Sequence, residues 1–346
     1  MKILSPDDAL RWPGIAIIGC GAITESYYLP ALTKYPSLLE RIVLADVDGD
    51  RARALADRFH VRAHTTDYRS VLGEVRGAVV AVPHHLHHGI TKDLLAAGVH
   101  VLCEKPLAET AREAEEMISA AEGSGVTLSV NNVRRLFPSS VKVKELIEAG
   151  EVGAVRSIQY FDGARFNWPT ASGFYFNSGL SKKGVLLDIG AHVLDLICWW
   201  LGTPPRLVSC EHDSFGGPEA AVSVVLDHGG HRSDVRLSRL AKLPNRYRIS
   251  GEAGCIEGEV YDWTRLSVTD ATGRRREVRT SGRYAGLSDL GVILIGNFLE
   301  VLRGTAAPLI PGRAVLPSLR LLDEAYARAT KFAMPWYDVS AAPSEY

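Results

Sequence analysis

Long hydrophobic runs are missing from this 346-residue chain: nothing approaches the about 18 uninterrupted apolar residues that a membrane span needs. The N-terminal extension, residues 1–12, carries Asp7 and Asp8 and lacks an apolar core of signal-peptide length. A cytoplasmic protein with no membrane partner is expected. Cysteine is sparse as well. Its five copies, Cys20, Cys103, Cys198, Cys210 and Cys255, include no C-x-x-C pair, which argues against a disulfide framework or a structural zinc site.

An excess of either charge is also absent. Lys plus Arg number 39 against 40 for Asp plus Glu, so no global field would hold a nucleic-acid backbone. The local exception, the arginine-rich run Gly273 to Arg279, reads as a solvated hairpin tip. There is no internal repeat and no low-complexity tract, and a composition 46% hydrophobic and 23% charged suits a chain folded throughout. The length suits two domains with a cleft between them.

From residue 14 the sequence alternates short apolar runs with helical periods. The runs are Ile15–Ile18, Ile42–Ala45, Ala78–Val82, Val99–Cys103 and Thr127–Val130. Between and after them lie helical stretches at 22–35, 50–59, 86–97, 110–123 and 139–149, the fourth opening on the capping box Thr110-x-x-Glu113. Continuous apolar runs alternating with helices predict a parallel sheet covered on both faces.

The second half reads differently. Strand-like segments near 155–161, 206–211, 221–226, 232–237, 247–251, 255–260 and 266–269 follow one another through short turns, with helices at 190–201, 293–303 and 316–332. That order predicts a large, mostly antiparallel open sheet in a C-terminal α/β domain at 133–346.

Gly19-Cys20-Gly21-Ala22-Ile23-Thr24 follows a strand and opens a helix, the setting of a dinucleotide-binding fingerprint. Gly19 permits the turn, and Gly21 lets backbone at Ala22 and Ile23 approach a pyrophosphate. The third position is Thr24 instead of Gly or Ala, which predicts a helix set slightly farther from the strand. The next strand ends at Asp46, where a carboxylate either accepts from both adenosine ribose hydroxyls or merely starts a loop. It would repel a 2′-phosphate, and Val47-Asp48 offers no cation, so NAD is favoured over NADP. Residues 13–132 are thus expected to form a Rossmann domain.

The fifth strand ends in Cys103-Glu104-Lys105-Pro106, at the sheet edge where such folds bind ligands. Before it stands Pro83-His84-His85-Leu86-His87, and beyond it Arg134-Arg135-x-x-Pro138 and Asp188-Ile189-Gly190-Ala191-His192. In order and spacing these pieces resemble the Gfo/Idh/MocA family of sugar and inositol oxidoreductases over nearly the whole chain. The resemblance implies a catalytic set of Lys105, Asp188 and His192, with Pro83, His87, Glu104 and Lys105 beside the nicotinamide. Independently, Asp188 and His192 are four residues apart at the start of a helix and can share one face. A His there suits proton transfer with a hydroxyl, and a Lys can orient the same oxygen.

His84 and His88 could share a helix face toward a metal, but no acidic or Cys neighbour in sequence supports one, and no metal is expected. Arg135, the segment Phe166-Asn167-Trp168-Pro169, Tyr175 and Tyr284 are candidates for the wall of a sugar pocket, or ordinary core. Lys182-Lys183-Gly184 departs from the glycine run common in the family and could meet an anionic group. The expected activity is NAD-dependent hydride transfer at a secondary alcohol or ketone of a sugar, cyclitol or sugar derivative. Redox-neutral glycoside cleavage, a non-catalytic sugar sensor, and reduction of a non-sugar carbonyl or tetrapyrrole are the alternatives. A homodimer or homotetramer is expected through a sheet face that needs covering.

Overall fold

Four-residue apolar runs can hide both faces only between layers of helix, and the first half of the chain takes that form. A computed structural model describes residues 14–170, 173, 175, 181–280 and 286–333. The 1–12 extension and Tyr284 lie outside the described residues. Strands β1 (Ile15–Ile18), β2 (Ile42–Ala45), β3 (Ala63–Thr65), β4 (Gly77–Val80), β5 (His100–Glu104) and β6 (Leu128–Asn131) form one parallel sheet in the order β3-β2-β1-β4-β5-β6. The short β3 has no apolar run, so period alone could not show it.

The helix beyond β1 opens as a wide π-helical turn, Thr24–Tyr28, before α1 (Leu29–Leu32) and α2 (Pro36–Leu39). Next come α3 (Gly49–Phe59), α4 (His84–Ala96) and α5 (Ala111–Gly123). The capping box at α5 is formed: Glu113 N donates to Thr110 Oγ1, and Thr110 N donates back to Glu113 Oε2.

After α6 (Pro138–Glu148), strand β7 (Val155–Gly163) enters a second sheet. It is joined, beyond α7 (Ala191–Leu201), by β8 (Arg206–His212), β9 (Ala221–His228), β10 (His231–Ser238), β11 (Arg246–Gly251), β12 (Gly254–Glu259), β13 (Arg265–Asp270) and β14 (Arg275–Arg279). Helices α8 (Leu287–Arg303) and α9 (Leu316–Arg328) precede β15 (Thr330–Lys331). The nine strands order as β14-β13-β12-β11-β7-β10-β9-β8-β15, antiparallel except for β7 with β10 and β8 with β15. The arginine run starts in a hairpin turn, where Gly273 N donates to the Asp270 carbonyl, and continues as the edge strand β14, Arg275–Arg279, paired with β13.

Alternate side chains of this sheet, Ile158, Tyr160, Val224, Val235, Leu237 and Ile249, are buried with Trp200 of α7 in one core. The opposite face carries exposed Arg232, Arg236, Arg246 and Arg248, with Phe161 in register between Arg236 and Arg246. The face expected to meet another copy is thus a charged one with an aromatic ring set in it.

Helix α8 returns to the first sheet. Its Leu294, Ile295, Phe298, Leu299 and Leu302 share a buried cluster with Ile15, Ile17, Leu29 and Leu32. Gly77 makes room for it, since a Cβ there would lie 2.7 Å from Leu302 Cδ1.

Candidate active site

The turn after β1 is built for a bare backbone. Gly19 has φ +98°, and a Cβ on it would meet the Ala81 carbonyl oxygen at 2.3 Å, so protein packing demands glycine there. At Gly21 nothing lies within 4 Å of a Cβ position. Packing makes no such demand at Gly21; bare backbone facing open space at a helix start fits the approach of a pyrophosphate. Thr24 does not loosen the turn: fully buried, it donates from Oγ1 to the Gly19 carbonyl at 2.6 Å. The hydroxyl ties the helix to the glycine loop.

Asp46 closes the other side. Its carboxylate accepts from Cys20 N at 2.7 Å and from Asp48 N at 2.9 Å, so it both starts the loop after β2 and ties that loop to the glycine turn. Arg51 Nη1 lies 3.4 Å from both Asp46 oxygens, and Arg51 Nη2 lies 2.9 Å from Asp48 Oδ2. A cation thus stands at the site where sequence spacing showed none. The loop, helix start and carboxylate together fit a nicotinamide dinucleotide.

The chemical residues converge at the carboxyl ends of β5 and β6. Lys105 Nζ donates to Asp188 Oδ1 at 2.5 Å and to the Asp188 carbonyl at 3.1 Å. Asp188 lies on a π-helical turn, Leu186–Gly190, that runs into α7 and brings His192 along. Glu219 fixes that turn: its carboxylate accepts from Gly184 N, Leu186 N and the Tyr326 hydroxyl at 2.9, 2.9 and 2.7 Å. A Cβ on Gly184 would lie 1.9 Å from the Glu219 carbonyl oxygen. The second Asp188 oxygen pairs with Arg239, just past β10, whose guanidinium stacks on Phe166 at 4.5 Å and Tyr175 at 5.4 Å.

Burial pushes Lys105 down to about 7, the Arg239 and Arg134 charges add to this, and Glu104 opposes it. The contact with Asp188 opposes it further. His192 is held well below its usual value by burial, with Lys105 and Arg134 adding, so its imidazole is neutral at neutral pH. Its Nδ1 lies 2.8 Å from Asn132 Oδ1. Glu104 is raised by burial and sits behind Lys105, accepting from the Tyr28 hydroxyl and Asn131 Nδ2, both at 2.7 Å.

The structure commits two expected site residues elsewhere. Arg135, a sugar-wall candidate, forms a two-pronged pair with buried Asp195 at 2.6 Å per bond and also donates to the Ala314 carbonyl. His87 is fully buried, with both ring nitrogens against the Pro106 and Val82 carbonyls. It ties the Pro83 turn to the E-K-P segment and has no ring nitrogen left for a cofactor. Pro83 caps α4 at the sheet edge.

Tyr175 sits at the centre through Arg239 and His84, whose ring is 5.9 Å away. Asn167 and Trp168 are exposed, whereas the preceding Phe166 turns inward. His84 and His88 diverge, the latter toward Glu116 Oε2 at 3.0 Å, and no metal-ligating group of three is found among the described residues. Lys183 does not await an anion: it donates to the Glu109 carbonyl and stacks over Tyr326.

Residues 14–132 match the description "Oxidoreductase family, NAD-binding Rossmann fold" of the Gfo/Idh/MocA type, and residues 140–257 match the C-terminal domain of the same family. The chain belongs to the Gfo/Idh/MocA oxidoreductases. A levoglucosan dehydrogenase of Pseudarthrobacter phenanthrenivorans is 30% identical over 185 residues, 52% of this chain and 46% of that one, which is under half of the relative's length. A D-glucoside 3-dehydrogenase of Escherichia coli is 31% identical over 210 residues, 59% of this chain and 57% of that one. Among solved structures, levoglucosan dehydrogenase in complex with NADH and levoglucosan superimposes with a TM-score of 0.80 at 21% identity, covering 91% of this chain and 96% of the other.

Within this Gfo/Idh/MocA chain, Arg239, Asn132, Glu219 and Arg51 escaped sequence reasoning. Asn131-Asn132 carried a usable signal, as two amides at the carboxyl end of a predicted parallel strand. Arg239 carried none, being one arginine among many beside antiparallel strands.

Proposed function

We propose that this oxidoreductase interconverts a secondary alcohol and a ketone on a sugar, cyclitol or sugar derivative, with NAD as hydride partner. The observation carrying this reading is the convergence of Lys105, Asp188 and His192 at the strand ends beside the glycine loop. The relatives named for levoglucosan and D-glucoside oxidation act on such ring substrates.

Nicotinamide, when bound, supplies the hydride acceptor or donor. Lys105 holds the reacting oxygen and offsets negative charge developing on it. Neutral His192 accepts the hydroxyl proton during oxidation and returns it during reduction. Asp188, bridged between Lys105 and Arg239, fixes the ammonium in place. Phe166 and Tyr175 offer aromatic faces to the C–H faces of a ring. Gly19, Gly21, Ala22 and Ile23 would cradle the pyrophosphate and Asp46 the ribose, and Glu104 backs the nicotinamide end.

The test is a panel of sugars, nucleotide sugars and cyclitols with NAD and NADP, following absorbance and product together. NADH formation matched by a ketone product is the expected result. Substrate loss without net NADH would replace the reading with redox-neutral glycoside cleavage, and tight binding without conversion would replace it with a sensor. We place the enzyme in the cytoplasm, where its five free, buried cysteines stay reduced. We also infer a homodimer or homotetramer; a purely monomeric elution at micromolar concentration would overturn that.

A further inference from the structure

His192 stands at the junction of the two halves with a single hydrogen-bond partner among the described residues, the side chain of Asn132. Both residues are buried, at 8% and 3% exposure, so water does not compete freely for this bond. Asn131 ends β6, Asn132 follows it, and the two divide their work. Asn131 serves Glu104 behind Lys105, while Asn132 reaches His192 at the start of α7. The backbone at Asn132 is itself held, its carbonyl accepting from Arg135 N at 3.0 Å.

An imidazole facing an amide oxygen must present N–H to it. With Nδ1 so occupied, the single proton of the neutral ring is on Nδ1, and Nε2 keeps its lone pair. Lys105 and Arg134, both cationic, disfavour an imidazolium at His192, while the Asp188 carboxylate one turn earlier is taken up by Lys105 and Arg239. A neutral amide at position 132 fixes the ring without offsetting that repulsion, as a carboxylate would.

We propose that Asn132 is a positioning residue that sets the tautomer of His192, making Nε2 the atom that exchanges a proton with the substrate hydroxyl. The proposal rests on the reading of His192 as the acid/base group. The opposite amide rotation would place N–H against Nδ1 and the proton on Nε2, leaving the ring a donor where oxidation needs an acceptor.

The experiment uses full-length protein labelled with 15N-histidine, with and without NADH. The His192 signals are assigned by their loss in His192→Gln. The wild type is expected to show a protonated Nδ1 and a bare Nε2. Asn132→Leu should lose this pattern and lower kcat about 10- to 100-fold, with NADH affinity and substrate KM within about twofold. Asn132→Asp keeps an acceptor at the same place, adds a negative charge and guards against a mere folding defect. It should retain the Nδ1–H signal and move the acid limb of the kcat/KM profile to higher pH.

A wild-type proton on Nε2 would overturn the proposal, as would an Asn132→Leu enzyme keeping both tautomer and turnover. If the tautomer responds as stated but His192→Gln turns over normally, Asn132 sets the ring as proposed and it is the acid/base reading that fails.

Discussion

Lys105 Nζ lies 2.5 Å from Asp188 Oδ1 and 3.1 Å from the Asp188 carbonyl oxygen, joining residues 83 positions apart. One ammonium therefore reads both the side chain and the backbone of the turn that leads into α7. Any displacement of that turn moves His192 and Lys105, the proposed acid/base and oxygen-holding residues, together.

Lys105→Met should lower kcat about 10²- to 10⁴-fold, the usual span for a lost proton-handling or charge-stabilising group. NADH affinity, measured by fluorescence titration, should change by less than about threefold. Turnover near the wild-type rate would remove Lys105 from the chemistry.

In the proposed reduction Lys105 acts as a cation at the reacting oxygen; burial pushes it down to about 7, and the Asp188 contact works against that fall. Below that pH the ammonium is present; as pH rises through it the charge is lost. The kcat/KM for reduction should therefore fall on the alkaline side of about pH 7. Arg239 is one of the charges depressing Lys105, so Arg239→Gln should move the descending limb upward, as a pH series would show. An unmoved limb would mean that Arg239 does not act on Lys105.

Asp46→Asn removes a negative charge next to Arg51, whose Nη1 is 3.4 Å from both carboxylate oxygens. Arg51 Nη1, with Nη2 still held by Asp48, can then turn to a 2′-phosphate. Calorimetric titration should show the NAD-to-NADP preference shifting toward NADP by about tenfold or more, or about 1.4 kcal/mol. The double variant Asp46→Asn/Arg51→Ala should lose that shift.

Gly21→Ala and Gly184→Ala should separate a ligand's need for glycine from the protein's. The first adds a methyl to open space, so thermal stability should hold while NADH affinity drops. The second drives a methyl to 1.9 Å from the Glu219 carbonyl, so stability should fall by about 1–3 kcal/mol and kcat should fall with it.

Arg135→Met should cost about 3–5 kcal/mol in urea unfolding, because it strands the buried Asp195 carboxylate. Arg135→Met with Asp195→Leu should recover much of that loss. Activity per folded molecule should be unchanged in both.

Where local pattern decides structure, the chain was legible. Apolar runs and the Thr110–Glu113 box placed the first sheet and α5, and the glycine loop, Asp46 and the E-K-P segment marked the sheet edge proposed for the cofactor. What escaped depends on tertiary approach. Arg239 meets Asp188 only because a strand end passes over the turn, and Glu219 caps that turn from β9's approach. His87 and Arg135 carry functional-looking residue types, yet backbone carbonyls and a buried carboxylate claim them first. Thr24 looked like a flaw in the motif until its hydroxyl was seen to bond Gly19 across the turn.

Helix α8 shapes how the molecule comes into being. The first sheet covers one side with residues 287–303, so a growing chain that has just completed β6 still exposes Ile15, Ile17 and their neighbours. The dinucleotide half thus cannot finish its core during early synthesis, and proteolytic excision near residue 132 would yield an aggregation-prone fragment instead of a free NAD-binding module.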